Sequence, residues 1–338
     1  MKIAIIGFGY WGPNLARNFS SNPQTQVSAI VEPRADRRAL AQRLYPQAQV
    51  FADPERVFKD PEINAVAIAT PVLTHFPIAL QALQAGKHVL VEKPLTSSLA
   101  ESVKLSDLAR EKKLVLMVDQ TFIYTGAVER LKKMNESGEL GAVRYFDSTR
   151  INLGLFQSDV NVLWDLAAHD LSILFYLFEE RPISVHAVGR ALLTHHKESI
   201  GYLTLNYRSG MIAHFHCSWV SPVKIRQILI GGDRKMVVYN DMEPTEKIKV
   251  YDAGYEVRSD EARNQILVDY RAGDIYIPKL AITEALANMA EDFRKAVDEG
   301  SKPRATIATG LEIVQVLEAS QRSLQENGSE IALDSETH

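Results

Sequence analysis

The run Gly7-Phe8-Gly9-Tyr10-Trp11-Gly12 follows a short apolar stretch, Ile3-Ala4-Ile5-Ile6, and opens a helix-like segment. In that setting G-x-G-x-x-G is anion-binding chemistry. Gly7 permits the tight turn, Gly9 lets backbone approach a pyrophosphate, and Gly12 lets the helix pack closely on the strand. The N–H groups at the helix N-terminus then face the anion. Glu32 stands twenty residues past Gly12, at the end of the next apolar run, Val27–Val31. A carboxylate there accepts hydrogen bonds from the adenosine ribose and repels a 2′-phosphate. Strand, turn, helix and acid together predict NAD. Arg34 and Arg37 lie close enough in sequence to neutralise such a phosphate, which leaves NADP as the alternative.

A second group has the types to act on a substrate. The run His88-Val89-Leu90-Val91 ends in Glu92-Lys93-Pro94. Ligands of open α/β sheets bind outside the carboxyl ends of the strands, where Lys93 emerges. An ammonium with three donors suits stabilising an alkoxide as hydride leaves its carbon. Taken alone, Lys93 reads as a surface lysine in a charged loop. Farther on, Asp165 to Phe178 is apolar almost all round, as in a buried helix. Yet Asp165, His169, Ser172 and Tyr176 fall at i, i+4, i+7 and i+11, a single polar stripe. Asp165 is placed to cap this helix, and His169 on so apolar a helix needs a partner or a substrate. Imidazole titrates near neutrality, so His169 suits taking a hydroxyl proton while Asp165 orients the ring or binds a neighbouring hydroxyl.

Other candidates have plainer readings. His214 and His216 share one strand face, with His195-His196 near in sequence, and histidine is a metal ligand. Both face Thr204 and Asn206 of the neighbouring strand with no acid nearby, so polar cross-strand pairs or an oligomer face are expected, and no metal. The one cysteine, Cys217, falls beside Phe215 and Trp219 on the apolar face, as inert core.

The elements that must position these residues follow two grammars. Through residue 120, short apolar runs (3–6, 27–31, 65–69, 88–91, 114–118) alternate with helix-like segments (11–21, 36–44, 74–85, 98–112). Such runs read as strands of a parallel sheet covered on both faces, a doubly wound Rossmann domain built from βαβ units. The segment at 98–112 opens with a capping box, Ser98 and Glu101. From 121 to 338 the reading is an α+β domain for substrate binding and oligomerisation, with a large, mostly antiparallel sheet open on one face. Its hairpins are Leu203–Tyr207 with Met211–Trp219 around Ser209-Gly210, and Ile225–Ile230 with Met236–Tyr239. Amphipathic helices are expected at 281–299 and 307–325.

Composition narrows the class. The 338 residues carry 38 Lys+Arg and 42 Asp+Glu, a net charge of −4 that argues against a nucleic-acid or polybasic membrane partner. A hydrophobic share of 46% supports a sizeable core. One cysteine excludes an intramolecular disulfide framework. No run approaches the ~20 apolar residues of a membrane span, and Gly7 interrupts the first apolar run before a signal-peptide core forms. The expected compartment is the cytoplasm.

Taken together, the glycine turn, Ala69-Thr70-Pro71 with His75, Glu92-Lys93-Pro94 and Asp165-x-x-x-His169 resemble the Gfo/Idh/MocA oxidoreductases. The likeness runs through Gly273–Pro278 and the last helices, and the Glu-Lys-Pro placement is its most specific part. It implies a catalytic set of Lys93, Asp165 and His169, with a Lys93–Pro94 peptide that is commonly cis in the family. It also implies cofactor contacts from Gly7, Gly9, Tyr10, Trp11, Gly12, Glu32, Arg34, Thr70, Pro71, His75, Glu92, Lys93 and Gln120. Asp119-Gln120 depart from the Gly-His or asparagine-centred pattern of many relatives. The loop Asn152–Asn161 resembles the branch acting on nucleotide sugars, of the UDP-N-acetyl-hexosamine or hexuronate 3-dehydrogenase type. A free sugar or cyclitol dehydrogenase is the alternative, and a non-catalytic dinucleotide sensor the reading from another class. The open sheet face implies a homodimer or homotetramer.

Overall fold

The structure is a computed structural model and describes residues 1–154, 156–157, 159–192, 197–256 and 269–333. The chain divides into two compact units, residues 1–125 with 283–315 and residues 126–282 with 316–338.

In the first unit the apolar runs become six parallel strands: β1 Lys2–Ile6, β2 Gln26–Val31, β3 Gln49–Phe51, β4 Ala65–Ile68, β5 His88–Glu92 and β6 Leu116–Asp119. Their order across the sheet is β3-β2-β1-β4-β5-β6. That order reverses between β1 and β4, which opens a crevice at the carboxyl ends where dinucleotides bind. Helices α1 Gly12–Ser21, α2 Ala35–Leu44, α3 Glu55–Lys59, α4 His75–Gln84 and α5 Leu99–Lys112 connect the strands. Both sheet faces are covered, so Ile3, Ile5, Val66, Ile68 and Leu90 are fully buried. Short β3 and α3 lack a long apolar period and escape the sequence reading. The capping box at α5 forms only half: the Ser98 hydroxyl accepts from the Glu101 N–H at 3.4 Å, while the Glu101 carboxylate accepts from the Ser97 hydroxyl at 3.0 Å.

The second unit holds α6 Gly126–Glu136, β7 Val143–Leu153, a π-helical turn Leu163–Ala167 leading into α7 Ala168–Leu177, then β8 Pro182–Arg190, β9 Ile200–Tyr207, β10 Ile212–Ser218, β11 Val220–Gly232, β12 Met236–Asn240, β13 Ile248–Glu256 and β14 Asp269–Tyr276. With a short edge strand β15, Ile331–Ala332, they form a sheet ordered β14-β13-β12-β11-β7-β10-β9-β8-β15. Every pair is antiparallel except β7 with β10. Both expected hairpins are present. Leu205 pairs with Ala213 across a turn whose Gly210 has φ +84°, and Ile230 pairs with Val237. The two faces differ. Ala187, Leu203, Phe215, Ser148, Ile228 and Tyr239 align across six strands and are buried, while the next row carries Val188, Tyr202, His216, Thr149, Gln227 and Asn240.

The division expected at residue 120, with 121–338 as one domain, differs from the observed one in the last helices. Helix α8, Ala285–Glu299, belongs to the first unit. Phe293 meets Phe19 edge-to-face at 6.2 Å, and Glu284 accepts from Arg17, so the amphipathic face finds its apolar partner on α1. Tyr124 donates to Asp292 at 2.6 Å. Helix α9, Ile307–Gln325, contributes residues through Gln315 to the first unit and the rest to the second. Among the described residues no helix is long and apolar enough to cross a membrane.

Candidate active site

The glycine turn has the geometry its composition requires. Gly7 sits at φ +94°, where a side chain would strike the Ala69 carbonyl, and a Cβ on Gly12 would overlap the Gly7 carbonyl. Gly9 differs: a Cβ there would meet nothing within 4 Å, so that side of the turn is open to a ligand. No side chain caps the N-terminus of α1; Pro13 has no N–H and the Asn14 N–H donates to the Trp11 carbonyl at 2.9 Å, so the Gly12 N–H is what this turn offers an anion. Tyr10 is 82% exposed and stacks on Trp11, whose indole N–H donates to Asp119 Oδ2 at 3.2 Å.

Glu32 is buried at the end of β2. Its Oε2 accepts from the Phe8 N–H at 2.8 Å and its Oε1 from the Arg34 N–H at 3.0 Å. Each oxygen keeps a second lone pair, which a ribose hydroxyl would use. The two arginines are engaged elsewhere. Arg34 forks onto Asp36, holding that carboxyl below its ordinary range, and Arg37 donates to the Phe8 and Gly9 carbonyls. The turn, the open Gly9 and the acid fit a dinucleotide.

At the ends of β4, β5 and β6 the remaining candidates of this unit gather. Thr70 and Pro71 follow β4, and buried His75 bridges the Thr70 carbonyl (2.9 Å) and the Pro94 carbonyl (2.9 Å), tying the two loops together. The Lys93–Pro94 peptide is cis, as the resemblance implies. Glu92 pairs in register with Asp119, and its Oε2 accepts the Lys93 N–H at 3.2 Å. Burial and the facing Asp119 carboxyl push Glu92 well above the usual carboxylate range, and burial raises Asp119 too. Gln120 is 3% exposed, and neither atom of its carboxamide has a hydrogen-bond partner among the described residues. A buried amide in that state is set to pair with a bound amide or hydroxyl.

In the second unit Asn161, not Asp165, caps the helix that carries His169. Its Oδ1 accepts from the N–H groups of Leu163 (3.1 Å) and Trp164 (3.2 Å). Asp165 lies inside the π-helical turn, its own N–H already bonded to the Asn161 carbonyl, so its carboxylate is released from capping. That carboxylate accepts from the Trp219 indole at 3.0 Å. The polar stripe stands out along the π-helical turn and α7: Asp165, His169 and Tyr176 are partly exposed, the Ser172 hydroxyl donates to the His169 carbonyl at 2.6 Å, and most other positions are buried. Beneath His169 the neighbouring Asp170 is clamped by Arg150 (2.9 and 2.6 Å) and Ser148 (2.7 Å). From sequence, Asp119 is named only as a departure from the family pattern, Asn161 only as a loop end and Trp219 only on an apolar face, and the Arg150–Asp170 pair is not foreseen. Only an acid ending each of two apolar strands signals the first of them.

His214 and Thr204 form the expected cross-strand pair at 3.0 Å, and Tyr202 stacks on His216 at 4.6 Å. His195 and His196 lie outside the described residues. Burial holds the Cys217 thiol far above its ordinary value, which leaves it inert core. In the loop 152–161, residues 155 and 158 lie outside the described set. Gly154 donates to the Trp219 carbonyl at 3.0 Å and Phe156 meets the Trp219 ring at 5.8 Å.

Residues 1–120 match the family model described as "Oxidoreductase family, NAD-binding Rossmann fold", and residues 128–238 match "GFO/IDH/MocA C-terminal domain". The chain is 28% identical over 329 residues to the UDP-N-acetylglucosamine 3-dehydrogenase of Acidithiobacillus ferrooxidans, covering 94% of this chain and 98% of that one. It is 28% identical over 251 residues to the scyllo-inositol 2-dehydrogenase (NAD(+)) of Bacillus subtilis, covering 70% and 73%. A solved levoglucosan dehydrogenase in complex with NADH shares the fold at TM-score 0.84, with 23% identity and 99% of each chain covered.

Proposed function

Because this chain belongs to the Gfo/Idh/MocA oxidoreductases, we propose that it moves hydride between NAD(H) and the hydroxyl or ketone carbon of a nucleotide sugar, of the UDP-N-acetyl-hexosamine or hexuronate 3-dehydrogenase type. The coarser reading, a NAD-dependent sugar or cyclitol oxidoreductase, is the family's. The observation that carries the finer one is a match to a nucleotide-sugar dehydrogenase that spans nearly all of both chains.

When bound, the cofactor supplies the ring carbon that accepts or returns hydride. The chain's own residues do the rest. Gly7, Gly9 and Gly12 with the α1 N-terminus hold the pyrophosphate, and Glu32 holds the ribose. Arg34 is paired with Asp36 and Arg37 with backbone carbonyls, which favours NAD over NADP. The Gln120 carboxamide is assigned to a polar group of the bound cofactor or substrate. Lys93 stabilises negative charge on the reacting oxygen. His169 takes the hydroxyl proton during oxidation, and Asp165, held by Trp219, orients the imidazole or a neighbouring hydroxyl.

The test is substrate competition with NAD present. UDP-linked N-acetyl-hexosamines and hexuronates should exceed free glucose and inositol in kcat/KM by orders of magnitude, because remote diphosphate and base contacts are used at the reacting carbon. Equal efficiency with free cyclitols would establish the second reading, which rests on the inositol dehydrogenases among the relatives. The open sheet face, with Val188 51% and Ile212 45% exposed, further suits a homodimer or a dimer of dimers. A 37.8 kDa particle in light scattering at micromolar concentration would refute that assembly.

A further inference from the structure

The parallel register of β5 and β6 places Glu92 directly beside Asp119 at the carboxyl ends of both strands, where burial and the neighbouring acid disfavour a second negative charge. Two buried carboxylates side by side repel, so one of the two acids holds a proton. The donors around the pair decide which. Asp119 is 2% exposed and accepts from the Trp11 indole (3.2 Å) and the Thr121 hydroxyl (2.6 Å), both of which favour its ionised form. Glu92 receives only the Lys93 N–H at Oε2, and its buried Oε1 meets no donor among the described residues. The other charged or titratable groups in these loops are the Lys93 ammonium, which both carboxyls feel, and His75, which bonds the Thr70 and Pro94 carbonyls.

We propose that Glu92 and Asp119 share one proton in the folded protein, carried on Glu92, and that this pair is a positioning device for the cofactor site. One carboxylic acid and one carboxylate together fasten three segments: the glycine turn through Trp11, the Lys93 backbone through Glu92, and the start of the β6 loop through Thr121. Loss of the shared proton places two negative charges in contact. The pair then parts, and Trp11 and Lys93 lose their anchor. The inference deepens the assignment of NAD(H) to this unit and rests on it for its binding arm only.

The sign follows from linkage. A carboxyl that holds its proton more tightly folded than unfolded contributes stability at acid pH, and that contribution is lost as pH rises from the ordinary carboxylate value through the folded one. Glutamine keeps the donor and cannot ionise. Melting temperatures of the full chain and its Glu92→Gln variant, taken between about pH 5 and about pH 8, should therefore diverge, the variant gaining on the wild type as pH rises. The carboxylic-acid C=O stretch of a buried Glu92, absent from a carboxylate, should be present in the wild-type infrared spectrum at neutral pH and missing in Glu92→Gln. In NADH titrations, wild-type affinity should fall by on the order of tenfold as pH rises through the ionisation of the pair, and the affinity of Glu92→Gln, whatever its starting value, should show no such fall. Glu92→Ala, which lacks the donor, should bind weakly at every pH. A melting-temperature offset independent of pH, with no acid stretch, would overturn the shared proton. An alkaline loss of NADH equal in wild type and Glu92→Gln would overturn the positioning role. Absence of NADH binding at any pH would instead refute the cofactor assignment, while the melting and infrared arms still judge the pair.

Discussion

Two buried acids, one in each unit, keep opposite company. Asp170, 1% exposed, is forked by the Arg150 guanidinium and takes a third bond from Ser148. Asp119, 2% exposed, has an indole, a hydroxyl and another acid. Beside it Gln120 has neither amide atom bonded among the described residues. The first arrangement is electrically complete and fixes α7 on its sheet. The second leaves buried polar capacity in place, the condition under which a ligand's own donors and acceptors add most. Substitutions at the end of the first sheet should therefore read out in binding and turnover, and substitutions under α7 in stability.

The largest expected effect lies with the proposed catalytic set. Lys93→Met should lower kcat/KM by at least about 10³-fold, since a buried developing alkoxide loses its cation, with little change in melting temperature. His169→Ala should lose about 10²–10⁴-fold, keep NAD affinity, and flatten the acid limb of the oxidation profile. Near-wild-type turnover with the same limb in His169→Ala would make Lys93 the base and reverse the two roles.

Next comes the completed pair. Arg150→Met leaves Asp170 buried without its cation and should destabilise the chain by about 3–5 kcal/mol in denaturant melts. Arg150→Met combined with Asp170→Leu should recover much of that, because the charge goes with its partner. A stable Arg150→Met that lost turnover would break the contrast between the units. Smaller again is Glu32→Ala. Removing its repulsion and its ribose bonds should weaken NAD and narrow the gap to NADP by about 1–3 kcal/mol, or ten- to hundredfold. A wild type that already prefers NADP would shift the determinant to Arg34 and Arg37.

How much of this was legible in the sequence depends on the distance over which each feature is encoded. The glycine turn, Glu32 and Lys93 sit at the ends of short apolar runs, where local pattern and strand direction place them together. Glu92 and Asp119 are 27 positions apart and become neighbours only through the β5/β6 register. Arg150 and Asp170 meet across a strand and a helix, which periodicity does not specify. The cap at α7 was misplaced because Asp165 begins the polar stripe, whereas the π-helical turn moves the true N-terminus back to Asn161. Likewise the pattern of Ala285–Glu299 announces an amphipathic helix but not which unit its apolar face will cover.

The smallest effect is the most discriminating about Asp165. Trp219 is 2% exposed, and its indole N–H donates to the Asp165 carboxylate at 3.0 Å. Phenylalanine keeps an aromatic ring in the apolar setting but removes that N–H. A hydrogen bond to a charged acceptor contributes about 1.5–3 kcal/mol when its partner is left wholly unsatisfied, and less where water can replace the donor. Asp165 is partly exposed, so replacement by water is available and the lower end applies. Trp219→Phe should therefore reduce kcat by about tenfold at most, through a looser Asp165, and leave NAD affinity unchanged. Asp165→Asn, which removes the charge itself, should lose more, and adding Trp219→Phe to it should cost little further, since the charge-assisted bond is already gone. Additive losses in that double variant would mean that Trp219 acts on the substrate directly, through the ring that meets Phe156, and not through Asp165.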